Sequence, residues 1–187
     1  MADTEQVDKL VKGHSIELPL TVESRAELLS YFDGLEGKWL ENFKPHLSLA
    51  VIREEVRDVE PLRAAVQELG REFGPFKIQL SGIGLFPSKR RPVLTLTPAA
   101  NAELLAAHDL ISQRMDKAGI SPIPYYRPGM WSPHVTLMMG RPRAETGELA
   151  GELSRRRWPG EYQMEIVELI EFHPATRLEV VKLQAFH

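Results

Sequence analysis

The chain contains no cysteine. Disulfide frameworks, thiolate metal sites and cysteine nucleophiles are therefore excluded. Long apolar runs are missing as well. The longest unbroken stretches, such as Leu49 to Ile52, hold about four residues, against the ~20 that a membrane-spanning helix needs. Residues 1–13 carry three acids and no apolar stretch, so no secretory signal is legible, and a cytoplasmic protein with no membrane partner is expected. Charge of one sign is not in excess either. Lys and Arg number 23 and Asp and Glu 26, a net charge of −3. A surface given over to binding phosphate backbone is thereby excluded, and a nucleic-acid ligand would have to be met locally. Gly-rich phosphate loops, His-Glu-x-x-His and the strained nucleophile elbow are all absent.

What is present is a soluble globular composition, 43% hydrophobic and 26% charged over 187 residues. That length suits a single domain spanning 1–187, built of two small lobes, with enough core to need no metal or disulfide staple. Helix signals cover about 22–32, with Thr21 or Ser24 as N-cap, and a second helix from Asp58 that Gly70 would stop. In the third, Leu104, His108, Ile111, Met115 and Ala118 repeat at helical spacing between an Asn101 cap and Gly119. A weaker fourth helix covers 146–156. Strand signals lie at 15–20, 46–52, 76–85 with a phase shift at Ser81-Gly82, 93–97 and 134–139. Tyr162 to Phe172 and Leu178 to Phe186 read as a terminal hairpin. Alternating strands without long buried runs predict an α+β fold, with helices packed on antiparallel sheets.

Two segments match each other. Pro45-His46-Leu47-Ser48-Leu49 and Pro133-His134-Val135-Thr136-Leu137 share the order Pro, His, apolar, hydroxyl, Leu, with the histidines 88 positions apart. With only 17 Ser and Thr in the chain, chance would place a hydroxyl two residues after fewer than one of its histidines. On a strand, residues i and i+2 share a face. His46 and Ser48 then project together, as do His134 and Thr136, while Leu47, Leu49, Val135 and Leu137 point into a core. A solvated strand face accounts for either motif alone. The matched pair instead suits phosphodiester hydrolysis. One neutral imidazole takes a proton from water, one protonated imidazole supplies the leaving alkoxide, and the hydroxyls hold phosphate oxygens. No metal or other cofactor is required, and a bell-shaped pH–rate profile that survives a chelator is expected.

On these motifs the chain resembles the 2H phosphoesterase superfamily, in its 2′-5′ RNA ligase-like (RNA 2′,3′-cyclic phosphodiesterase) branch. Phe76 to Phe86, the basic turn Ser88 to Arg91, Pro92 to Leu96 and Trp131-Ser132-Pro133 extend the likeness. The resemblance implies a bilobal α+β fold of two antiparallel sheets with helices on their outer faces, a pseudo-two-fold axis and an active cleft between the lobes. It implies His46 and His134 as the acid–base pair and Ser48 and Thr136 as phosphate-holding hydroxyls. The implied substrate is a nucleotide or RNA bearing a 2′,3′-cyclic phosphate or a 2′-5′ linkage; a monomer is the default expectation for the chain itself. Two departures stand out: Ser48 replaces the commoner Thr, and Met139 occupies the place where the branch usually carries Arg. Arg141, two residues on, would keep the same strand face. Substrate contacts are also expected from Tyr126, Arg127 and Trp131, in an aromatic-basic loop with Tyr125 that is equally readable as a lid packed on the core, and from Arg91. Lys89 to Arg91 otherwise read as a solvated hairpin tip, Arg155 to Arg157 as a helix-end cluster and His108 as a packed structural histidine. His14, His173 and His187 are given no role. Two rival activities share these residues: an RNA 2′-5′ ligase running the reaction in reverse, and a nucleotide-binding module without turnover.

Overall fold

The structure is a computed structural model that describes residues 12–35, 43–53, 56–88, 91–99, 101–156, 160–172 and 174–184. Lys89, Arg90, Arg157, His173 and His187 lie outside the described residues. Eight strands are present among those described: β1 (Gly13–Pro19), β2 (His46–Ile52), β3 (Phe76–Phe86), β4 (Val93–Pro98), β5 (Val135–Met138), β6 (Glu161–Met164), β7 (Ile166–Phe172) and β8 (Thr176–Lys182). Four α-helices accompany them: α1 (Val22–Ser30), α2 (Glu60–Glu72), α3 (Ala102–Lys117) and α4 (Arg143–Leu153). The α+β class follows directly. None of the described helices is long and apolar enough to cross a membrane.

The expected two sheets are instead one antiparallel order, β6-β3-β4-β5-β2-β1-β7-β8. Its halves, four strands each, join at a single bridge between Leu47 of β2 and Val135 of β5. The stretch Tyr162 to Phe172 is likewise not one strand. It breaks at Glu165, sending β6 to pair with β3 and β7 to pair with β1. One residue spans about 3.8 Å, so the sheet must curl until its first and seventh strands nearly meet. The only local mark of the break is the Ile166-Val167 doublet, across which the buried apolar positions move from Tyr162 and Met164 to Val167 and Leu169.

Local chemistry accounts for the helix ends. Thr21 rather than Ser24 caps α1, its hydroxyl accepting from Ser24 N–H, while Ser24 Oγ accepts from Gln163 N–H. Asn101 caps α3 by accepting from Leu104 N–H at 2.8 Å, and Gly119 follows that helix at φ 68°. Gly70 does not stop α2, which runs on to Glu72. Its missing side chain serves packing: a Cβ there would collide with Val181 and come within 2.9 Å of the Lys182 carbonyl oxygen. The fourth helix starts three residues earlier than expected, at Arg143 behind Pro142. Leu62, Val66 and Leu69 of α2, Leu104, Ile111 and Met115 of α3, and the sheet residues Leu47, Leu49, Leu94, Leu96, Val135 and Leu137 form one buried core. Each such side chain contributes about 1.5–3 kcal/mol by leaving water, and together they leave the other face of the central strands open.

Candidate active site

The β2–β5 seam decides the site. Leu47 faces Val135 in antiparallel register, and both are fully buried. One residue to either side, His46 lies against Thr136 and Ser48 against His134, all four half-buried on the opposite, open face. The two histidines are thus diagonal neighbours, with backbones ~7–8 Å apart. The next strands extend this face. Glu17 of β1 pairs with Ser48, and Thr95 of β4 pairs with Thr136. Glu17 is the residue that reading by motif overlooks. Its only local signal is an acid inside the apolar alternation of β1.

Each imidazole is held the same way. His46 Nδ1 lies 2.8 Å from the Lys44 carbonyl oxygen, and His134 Nδ1 lies 2.8 Å from that of Ser132. A carbonyl only accepts, so each Nδ1 carries the hydrogen and donates it, leaving Nε2 available on the open face of the sheet. In both motifs a proline stands between the histidine and that carbonyl. It disfavours helical geometry at the residue before it and so helps fix the approach of the chain.

The surroundings of the two rings differ. His46 Nε2 lies 3.6 Å from Glu17 Oε1, and the Ser15 hydroxyl donates to the same oxygen. His134 is instead enclosed by aromatic rings. Phe86 meets it edge-on with centroids 4.7 Å apart, and Tyr126 lies tilted at 6.3 Å. Burial holds the His134 imidazole below its ordinary pKa, the charge of His46 adds to this, and the Ser132 carbonyl opposes it. Burial also raises the Tyr126 phenol, whose hydroxyl shares a hydrogen bond with Ser48.

A further layer holds this face in place. The Trp131 indole donates to the Ser48 carbonyl oxygen at 3.2 Å and stacks on His108, with centroids 3.9 Å apart and planes 3° from parallel. His108 Nε2 lies 2.9 Å from the Tyr126 carbonyl oxygen and donates to it. His108 is buried, and the loop carrying Trp131 packs on it. The remaining residues expected at substrate lie further out. Arg127 is exposed and lines a separate small cavity with Ser112 and Asp116. Arg91 is exposed at the β3–β4 turn. Arg141 does not continue the strand face, because β5 ends at Met138 and the chain turns at Gly140 with φ 77°. Among the described residues, no three His, Asp or Glu side chains are grouped to hold a metal ion.

A family model described as the 2′-5′ RNA ligase superfamily matches residues 19–175. No curated protein sequence matches the chain. Solved structures do. TT0787 of Thermus thermophilus superposes with a TM-score of 0.63 at 21% identity, over 94% of this chain and 100% of that one. E. coli LigT complexed with 3′-AMP gives 0.62 at 17% identity, over 92% and 98%. Usb1 of Kluyveromyces marxianus gives 0.51 at 13% identity, over 94% and 98%. At these identities the likeness is one of fold.

Proposed function

The chain belongs to the 2′-5′ RNA ligase superfamily of 2H phosphoesterases, and from that premise we propose that it is a metal-independent phosphodiesterase. Its substrates are 2′,3′-cyclic phosphates or 2′-5′ linkages in nucleotides or RNA. One observation carries the reading: two imidazoles, each tied through Nδ1 to the carbonyl two residues before it, offer Nε2 on the same face beside two hydroxyls. E. coli LigT, which shares the fold, has been crystallised with 3′-AMP.

The unequal surroundings support one direction of proton flow. His134, which burial keeps neutral, accepts a proton from water at Nε2 as the water oxygen bonds to phosphorus. His46, whose imidazolium form has the Glu17 carboxylate as its partner, gives its Nε2 proton to the leaving oxygen as the P–O bond breaks. Ser48 and Thr136 donate to the non-bridging oxygens as charge develops on them. The proton count balances: one taken at His134, one released at His46, restored by exchange with solvent. In the joining reaction a 5′-hydroxyl takes the place of water: it bonds to phosphorus as His134 takes its proton, and His46 again protonates the leaving ribose oxygen, the roles exchanging only when the joined linkage is cleaved back.

The test is a panel of 2′,3′-cyclic nucleotides and short 2′-5′ oligonucleotides with EDTA present, products being identified by the position of the remaining phosphate. Turnover that persists in EDTA and is lost in His46→Ala and His134→Ala is expected. Wild-type rates in both variants would overturn the assignment. Joined product from cyclic-phosphate and 5′-hydroxyl ends would favour ligation.

A further inference from the structure

Beside His46 the open face of the sheet falls into a cavity of about 630 Å³. Its position and its lining both matter. The floor carries Glu17 of β1 and Glu168 of β7, which face each other across the strand pair. One wall is apolar, from Ile170 and Phe172, and the rim carries Lys44 and Arg177. Glu168 is buried, with only 4% of its surface exposed. Arg177 Nη2 lies 2.8 Å from its Oε1. Burial raises the Glu168 carboxyl above the usual range, and the Arg177 charge opposes that shift. A carboxylate offers about four acceptor positions, so one arginine does not exhaust this group. A buried acceptor without enough donors is costly.

Geometry states what the cavity would receive, resting on the phosphodiesterase reading in which His46 protonates the leaving oxygen. In a 2′,3′-cyclic phosphate both bridging oxygens belong to one ribose. The attacking and leaving oxygens stand roughly in line through phosphorus. Water arrives from the His134 side, so the ribose and its base lie on the His46 side, where the cavity opens. Its volume falls within the ~300–1,000 Å³ of small-ligand sites, and an apolar wall beside a carboxylate floor suits a flat ring with a donor edge.

We propose that this cavity is a nucleoside subsite in which Glu168 accepts a hydrogen bond from the exocyclic amino group of the base. Adenine, cytosine and guanine carry such an amino group; uracil does not. The subsite therefore favours amino-bearing 2′,3′-cyclic nucleotides over 2′,3′-cyclic UMP.

The experiment compares kcat/KM for 2′,3′-cyclic CMP and UMP, with glycerol 1,2-cyclic phosphate as a substrate that lacks a nucleoside. One hydrogen bond to a charged group corresponds to a preference of about tenfold for cytidine. Glu168→Gln, which adds a donor and removes the charge, is expected to bring the ratio to within about twofold. Ala175→Trp, at an exposed residue of the cavity lining, is expected to depress both nucleotides at least tenfold and leave glycerol cyclic phosphate unaffected. Equal rates for the two bases in wild type, or equal losses on all three substrates in Ala175→Trp, would overturn the subsite while the phosphodiesterase reading stands. Absence of turnover on all three by the wild-type protein would remove that reading, and the subsite with it.

Discussion

The β2 and β5 motifs are alike in backbone and unlike in surroundings. Both follow a proline, both tie Nδ1 to the carbonyl two residues back at 2.8 Å, and both send an aliphatic neighbour into the core. The difference begins at the ring. His46 meets a carboxylate, Glu17, supplied by β1; His134 meets the hydrocarbon of Phe86, supplied by β3, and of Tyr126 from the 3-10 turn Pro124–Tyr126. In the reaction proposed above, the two copies of one device take opposite tasks because the neighbouring strands are not copies of each other. A symmetric pair alone could not assign acid and base. The proposed assignment rests on the flanking strands, at positions remote in sequence from either motif.

The most severe way to break this comparison is to remove one ring at a time. His46→Ala and His134→Ala are each expected to lower kcat by about 10²–10⁴-fold, and the double variant to be little worse than either, because the two act as a unit. A substrate with an activated leaving group, such as a p-nitrophenyl diester, separates them. It needs no general acid, so it should recover most of the loss in His46→Ala and none in His134→Ala. Recovery in the other variant would invert the assignment.

Smaller changes probe the surroundings. Glu17→Gln is expected to cost about tenfold on an unactivated diester, the worth of one hydrogen bond to a charge, and almost nothing on the activated one. An equal loss on both substrates would mean that Glu17 serves packing and not the acid. Phe86→Ala hydrates His134 and relieves the burial that lowers its pKa. The acid limb of the pH–rate profile, set by the base, should then move to higher pH, with kcat on the alkaline side of that limb changed by no more than a few fold. Profiles that superpose would separate ring burial from catalysis.

Much of this is legible in the sequence, and the remainder has identifiable physical causes. Period-two alternation suffices to set His46 with Ser48 and His134 with Thr136, and the Asn101 cap and apolar stripe suffice for α3. Nothing local reports the register that sets Glu17 against Ser48. It depends on a pairing interrupted by a bulge between Ile16 and Glu17. Phe86 is similarly invisible, since it reaches His134 only after β3 and β4 have paired. Placing Arg141 on the strand face fails because it extends the strand through Gly140, whose φ of 77° turns the chain. Gly70 has the look of a helix stop, yet its smallness answers to Val181, more than a hundred residues away. Local pattern shows which side chains share a strand face; which strands then become neighbours depends on long-range pairing.

The mildest effect expected is on stability, and it sharpens the comparison from the side of the fold. Burial lowers the pKa of His134, and also those of His14 and His108. An unfolded imidazole takes up its proton near ~6.5, whereas these three, when folded, do so only at lower pH. Below that ordinary value the unfolded chain binds more protons than the folded one, so stability falls as pH falls. The stability these groups permit is fully present above ~6.5 and declines until their lowered folded pKa values are passed. Thermal melts between pH 7.5 and 5 should show the midpoint falling with acidity. His134→Gln, which cannot take up a proton, should flatten part of that slope and leave a remainder from His14 and His108. A slope unchanged by this substitution would mean that the second motif's ring is hydrated in solution, and the contrast between the two halves of the site would lose its basis.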